Sequence, residues 1–327
     1  MKNNNFDVDK QVEVALDKLE VMNKTNFFFI SVGGSFALMY LGKYIVDQES
    51  TKLEAHTYSS NEFAQCPPTK LNEKSIVLLC SNSGNTPETV KAASVANSRG
   101  ATTISLTNQL ETKLPNSCDV NLKYESEEED AAYSSHSILY QMTFGILNKI
   151  ENNNKYGMIM QSLNNLQYLF EENEVLYNEK AVGFANAHKN EEIIYTIASG
   201  VNFGPAYGFA ICSLMEQQWI HSNAIHAGEY FHGPFEITEE NTPFVILLGL
   251  NETRVLDERA LNFLKKYSDK VTVLDANDFY LNEVNVEVKD YISSLVHNYL
   301  VRFYSKKLSE VRNHPLSTRR YMGIVDY

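Results

Sequence analysis

The 327-residue chain has four cysteines, Cys66, Cys80, Cys118 and Cys212, widely spaced and without a CxxC pair. That spacing excludes a disulfide framework and a cysteine zinc site, and fits reduced, mostly buried thiols. Basic residues are also scarce. Twenty-eight Lys and Arg stand against 41 Asp and Glu, a net charge of −13. Such a balance argues against nucleic acid or an anionic membrane as partner, though a single local loop can still hold a small phosphorylated ligand. No apolar run approaches the roughly 18 residues of a membrane span, and the opening MKNNNFDVDK has no apolar leader core. These absences point to a soluble cytoplasmic protein. Glycine (15) and proline (8) are too few for a low-complexity chain, and 43% hydrophobic residues supply about two domain cores.

What is present is organised around residues 75–100, SIVLLCSNSGNTPETVKAASVANSRG. Residues 76–80 are continuously apolar, which predicts a strand buried on both faces of a parallel sheet. The run breaks into Ser81-Asn82-Ser83-Gly84-Asn85-Thr86. Thr86 is a suitable N-cap, Pro87 fits the first helical position and Glu88 suits the positive first turn. The helix ends at Arg99-Gly100. Strand, hydroxyl-rich loop and helix N-terminus together can hold a phosphate through backbone N–H groups, the helix dipole and the hydroxyls of Ser81, Ser83 and Thr86. No Gly-Lys-Ser/Thr follows, and the Rossmann G-x-G-x-x-G is missing, so nucleotide machinery is not indicated. An ordinary polar strand-to-helix turn is the competing reading.

Taken in order, residues 8–21 have helical apolar spacing and 26–32 read as a buried strand ending in Gly33-Gly34-Ser35. A helix follows, and the turn is either an ordinary glycine-containing βα turn or one that brings Ser35 beside the Ser81 loop. Residues 52–58, 101–106 and 120–124 read as further strands. Ser126 and Glu129 form a capping box for a helix reaching about Ile150, with Ser134 and Ser135 early in it. Residues 152–177 read as a polar, then helical, connection. The pattern then repeats. Residues 193–198 with Ser199-Gly200-Val201-Asn202 match the first strand and its glycine turn at an offset of about 167, and two more strands match at nearly the same spacing. The expectation is two copies of one α/β sandwich with parallel sheets. The domains are 1–150, a helical linker 151–185, a second copy 186–312 and a tail 313–327. The second copy lacks the Ser-x-Ser-Gly-x-Thr loop, so only the first is expected to grip phosphate.

The second copy carries MEQQWIH (215–221) and HAGEYFHGPFE (226–236) instead. Glu216 falls on a helix expected from about Pro205 to His221, one turn from Cys212, Trp219 and Ile220. Such neighbours desolvate a carboxylate and raise its pKa toward that of a general base; an exposed glutamate at the stripe's edge is the alternative. His232, fixed against Gly233-Pro234, suits a positioned acid or base, or is plain surface. His221, His226 and His232 with Glu216 and Glu229 match no metalloenzyme spacing such as H-E-x-x-H, so no metal is expected.

The Gly-Gly-Ser turn, the Ser-Asn-Ser-Gly-Asn-Thr loop, the duplicated sandwich and Gly-Glu-x-x-His-Gly-Pro together resemble the double sugar isomerase (SIS) proteins. The segments MEQQWIH, HAGEYFHGPFEI and HPLSTRRYM look most like the fructosamine 6-phosphate deglycases within that group. The resemblance implies tandem three-layer α/β/α sandwiches and a cofactor-free enzyme acting on a phosphorylated sugar-amine. It implies phosphate contacts at Ser35, Ser81, Asn82, Ser83 and Thr86; Gly34 and Ser134 are candidates for substrate contact. It implies a catalytic Glu216 and a catalytic His232 that reaches the site from a neighbouring subunit, hence a homodimer at least. Where the glucosamine synthase has a lysine and a glutamate before the catalytic glutamate, this chain has Ser213 and Phe209, which argues against glucosamine synthesis. An isomerase, a deaminase and a sugar-phosphate-sensing regulator remain as alternatives. Arg319 and Arg320, basic and near Pro315, are expected to meet either acids of the fold or the substrate's carboxylate.

Overall fold

A computed structural model of the chain describes residues 10–125 and 130–326. It divides into two units, Met1–Gln167 and Tyr168–Tyr327. The first runs α1 (Gln11–Lys18), β1 (Asn26–Ser31), α2 (Gly33–Glu49), β2 (Glu54–Ser59), α3 (Ser60–Gln65), β3 (Ser75–Cys80), α4 (Pro87–Ser98), β4 (Thr102–Thr107), β5 (Val120–Lys123), α5 (Ser135–Glu151) and α6 (Lys155–Asn164). Its five strands are all parallel, in the order β2-β1-β3-β4-β5.

The apolar runs take the centre of this sheet. Every residue of β1 and of β3 is buried, whereas edge strand β2 is partly exposed. Because side chains alternate across a strand, Phe28, Ile30, Val77 and Leu79 pack with Phe63 of α3 and Ala92, Ala93 and Ala96 of α4. Phe29 faces the opposite layer, where Gly42 of α2 lets its ring lie against the helix. Each fully buried Phe contributes roughly 1.5–3 kcal/mol, so these two strands anchor the unit. The Ser126–Glu129 capping box lies outside the described residues. The helix it was expected to open begins at Ser135, with Ser134 as its cap.

α7 (Leu166–His188) spans the division. The second unit continues with β6 (Tyr195–Ala198), α8 (Phe203–Gly208), a π-helical segment Phe209–Gln217, β7 (Ala224–His226), β8 (Phe244–Leu248), α9 (Arg254–Tyr267), β9 (Val271–Asp275) and α10 (Lys289–Arg312). Its parallel sheet has the order β7-β6-β8-β9. That is the order of the first four strands of unit one, so the duplication is visible in topology. It is visible in backbone too. Gly33 and Gly200, 167 residues apart, open the two equivalent turns with φ +61° and +56°.

Candidate functional site

In both sheets the chain turns one way from its first strand and the other way later, which leaves a crevice between the first and third strands. Ligands of open α/β sheets bind there, outside the carboxyl ends of the strands. In unit one the crevice lies between β1 and β3, and the two loops leaving them are the Gly33-Gly34-Ser35 turn and the Ser81 loop. Ser31 Oγ donates to the Cys80 carbonyl at 2.6 Å and ties the strand ends together. Burial pushes the Cys80 thiol up to about 12, opposed by a hydrogen bond with the Ser35 side chain. Ser35 therefore stands at the foot of the Ser81 loop.

The loop is built to keep its shape without a ligand. Gly84 sits at φ +63°, and a Cβ there would come within 2.0 Å of Thr112 Oγ1. The Gly84 N–H donates to the Ser81 carbonyl at 3.1 Å, and its own carbonyl accepts from Leu114 N at 2.9 Å. Tyr124 Oη donates to Asn82 Oδ1 at 2.9 Å, while the Asn82 carbonyl accepts from Asn108 N. Among the described residues, no acceptor takes the backbone N–H of Asn82, Ser83 or Thr86. Open amides in a turn that leads into a helix N-terminus are donors of the kind that suits an anion.

Two site residues differ from expectation. Thr86 precedes α4 but makes no side-chain cap; its hydroxyl pairs with Ser81 Oγ at 2.8 Å. Ser134 is buried, its Oγ accepting from Ser137 N and donating to Ser137 Oγ, so its hydroxyl serves α5. Gly34 is exposed in the first turn of α2.

In unit two the equivalent crevice is closed from within. Asp257, in the first turn of α9 and fully buried, accepts from Ser199 Oγ at 2.6 Å and from the Gly249 N–H at 3.4 Å. Burial pushes its carboxyl up to about 7, against the hydrogen bonds of Ser199 and Gly249. An internal acid occupies the turn that in unit one is left open.

Glu216 sits near the end of the π-helical segment. The helix expected to reach His221 stops at Gln217, because the chain turns at Trp219, a bulky residue held at φ +56°. His221 instead bridges to Ile193 in parallel. π-Helical turns and left-handed aromatic residues of this kind gather at functional sites. The expected apolar isolation of Glu216 is not found. Its carboxylate is met by Arg319, with Nη2 to Oε1 at 2.8 Å. The tail after α10 folds back to deliver that arginine: Asn313 ends the helix at φ +50°, and Gln218 Nε2 donates to the His314 carbonyl at 3.0 Å. Arg320 lies over the Trp219 ring at 4.2 Å, and His314 meets the same ring edge-on. A cavity of about 690 Å³ opens among Met215, Glu216, Trp219, Arg319, Arg320 and Tyr321.

His232 is exposed on the turn after β7. Its neighbours hold the turn still. Phe231 and Phe235 pack on Phe263 of α9, the Tyr230 and Thr238 hydroxyls pair at 2.6 Å, and Arg259 lies over Phe231. The His232 ring has no hydrogen-bond partner among the described residues. His226 is used locally, its Nδ1 accepting from Gly228 N at 3.1 Å, and burial lowers its pKa. Among the described residues no three His, Cys, Asp or Glu side chains form a metal-binding group. Sequence reasoning missed the exposed Trp219 platform; its only signal was a lone tryptophan beside Glu216.

Comparison with known proteins matches the SIS domain to residues 20–146. A fructosamine deglycase, FrlB of Bacillus subtilis (strain 168), is 49% identical over 98% of both chains. A fructoselysine 6-phosphate deglycase of Escherichia coli (strain K12) is 26% identical over 97% of this chain and 91% of its own. A solved Bacillus subtilis structure, provisionally assigned as a phosphosugar isomerase, superposes with a TM-score of 0.95 at 49% identity and 97% coverage of both chains. The second parallel sheet supplies the other half of a tandem arrangement. With near-half identity along almost its whole length, the chain belongs to the SIS family, among the fructosamine deglycases.

Proposed function

We propose that the protein cleaves a 6-phosphofructosamine to glucose 6-phosphate and a free amine. The observation that carries this reading is the 49% identity to a fructosamine deglycase along 98% of both chains. The open amides and hydroxyls of the Ser81 loop support it, since they suit a phosphate. In this reading Ser35, Ser81, Asn82, Ser83 and Thr86 anchor the phosphate, and binding energy gathered there is used for the chemistry at the other end of the sugar.

Glu216 removes a proton from C1 of the open-chain ketoamine, moving the double bond to C1–C2 as an enolamine. The proton returns at C2, which leaves an imine at C1. Water adds to that carbon and expels the amine, so the water oxygen becomes the aldehyde of glucose 6-phosphate. His232 assists ring opening or donates to O2 as general acid. Its exposed ring and fixed turn support delivery to a neighbouring copy's site, which makes a homodimer the smallest active form. The enzyme works in the cytoplasm on a free metabolite.

Incubation with phosphorylated fructosamines, reading glucose 6-phosphate and amine release, tests the reading. Release of both in equal amounts is expected. Interconversion of aldose and ketose phosphates without amine release would overturn it.

A further inference from the structure

The Arg319–Glu216 pair is not needed to close a core. Both side chains are about a quarter exposed, 24% and 26%, and a partly exposed pair of this kind contributes little to stability. The arginine is nevertheless carefully held. Its Nη1 donates to the carbonyls of Leu316 at 2.7 Å and Thr318 at 2.9 Å, which turns Nη2 and the rest of the guanidinium toward Glu216. The same cavity has apolar and aromatic walls from Met215, Trp219, Tyr321 and Met322, with Arg320 stacked on Trp219. A positive end between apolar walls is the chemistry that accepts an organic carboxylate bearing a side chain. A guanidinium binds such a group bidentately, more strongly than its single contact with Glu216.

While the pair stands, Oε1 of Glu216 is occupied by Arg319 Nη2. We infer that Arg319 is the specificity-determining residue for the amine half of the substrate. It takes the carboxylate of a glycated amino acid, and this exchange of one carboxylate for another releases Glu216 to act on C1. The inference rests on the deglycase reading above. The segment carrying Arg319 is mostly exposed beyond α10, so the small movement required costs little.

The test compares two substrates that differ by one carboxylate, the 6-phosphofructosamines of valine and of isobutylamine. Wild-type kcat/KM is expected to favour the valine adduct by tenfold or more. In Arg319→Met, which keeps the apolar stem, that preference collapses toward unity, with both KM and kcat for the valine adduct affected. Arg319→Lys restores part of the preference and serves if the Met variant does not fold. Equal losses on the two substrates in a folded variant, or a wild type without preference, would overturn the assignment of Arg319 while leaving the deglycase reading intact. Failure of the wild type to release glucose 6-phosphate from either adduct would overturn the deglycase reading and the inference with it.

Discussion

Asp257→Asn tests the internal acid that fills the second unit's crevice. In the folded protein burial pushes the Asp257 carboxyl up to about 7, whereas in an unfolded chain it titrates near 3.9. Between those values the native state holds a proton that the unfolded state has released. Stability therefore falls as pH rises through this window, and above about pH 7 the full penalty is present. Three pH units at about 1.4 kcal/mol each give roughly 4 kcal/mol. Asparagine cannot titrate. It keeps an acceptor for Ser199 but sets an amide toward the Gly249 N–H, a pH-independent loss of about 1 kcal/mol. Denaturant unfolding of both proteins should be followed by circular dichroism from pH 4.5 to 8.5. The two proteins should be close in stability at pH 4.5, and the variant should gain on the wild type by about 3 kcal/mol toward the alkaline end. Two curves separated by a constant difference would show that Asp257 is ionised in the fold throughout, and would refute the burial argument.

Ser83→Ala and Thr86→Ala should each weaken substrate binding by about 1–3 kcal/mol through lost phosphate hydrogen bonds, with inorganic phosphate losing potency as a competitor in parallel. Equal turnover of unphosphorylated fructosamines by the wild type would remove the anchor from the account. Glu216→Gln should lower kcat by about 10²–10⁴-fold with substrate binding retained, and His232→Ala should do likewise. Mixing these two inactive proteins under verified subunit exchange should restore activity, and a mixture that stays inactive would place both residues in one subunit.

Much of this was legible in the sequence where burial alone decides structure. β1 and β3 are apolar runs enclosed on both faces, so composition and position coincide, and the offset between copies reappears as a pair of left-handed glycines, Gly33 and Gly200. β7 was not legible. Its three residues, Ala224–His226, are too few for any alternation, and only pairing with β6 makes them a strand. Thr86 was read as a cap because its type and place before Pro87 fit one, yet Ser81 offers its hydroxyl a partner at 2.8 Å. The π-helical turns before Glu216 carry no periodic signature distinct from an α-helix, so the helix end was misplaced at His221. The pairing of Arg319 with Glu216 joins residues far apart in sequence, and only the course of the tail reveals which of the two expected partners is present.

The two copies share a topology and differ at their strand-to-helix turns. Each copy has a crevice at the carboxyl ends of its first and third strands, and the two treat it differently. Unit one keeps its amides open and fixes them with Gly84 and Tyr124. Unit two satisfies the same kind of turn with Asp257, which donors at Ser199 and Gly249 hold in place. The helix after β6 widens into π turns and presents Glu216 beside Trp219. The open loop and the π-helical segment fall in different copies and at different junctions: the Ser81 loop leads from β3 into α4, whereas the segment carrying Glu216 continues the helix after β6, the counterpart of α2 after β1.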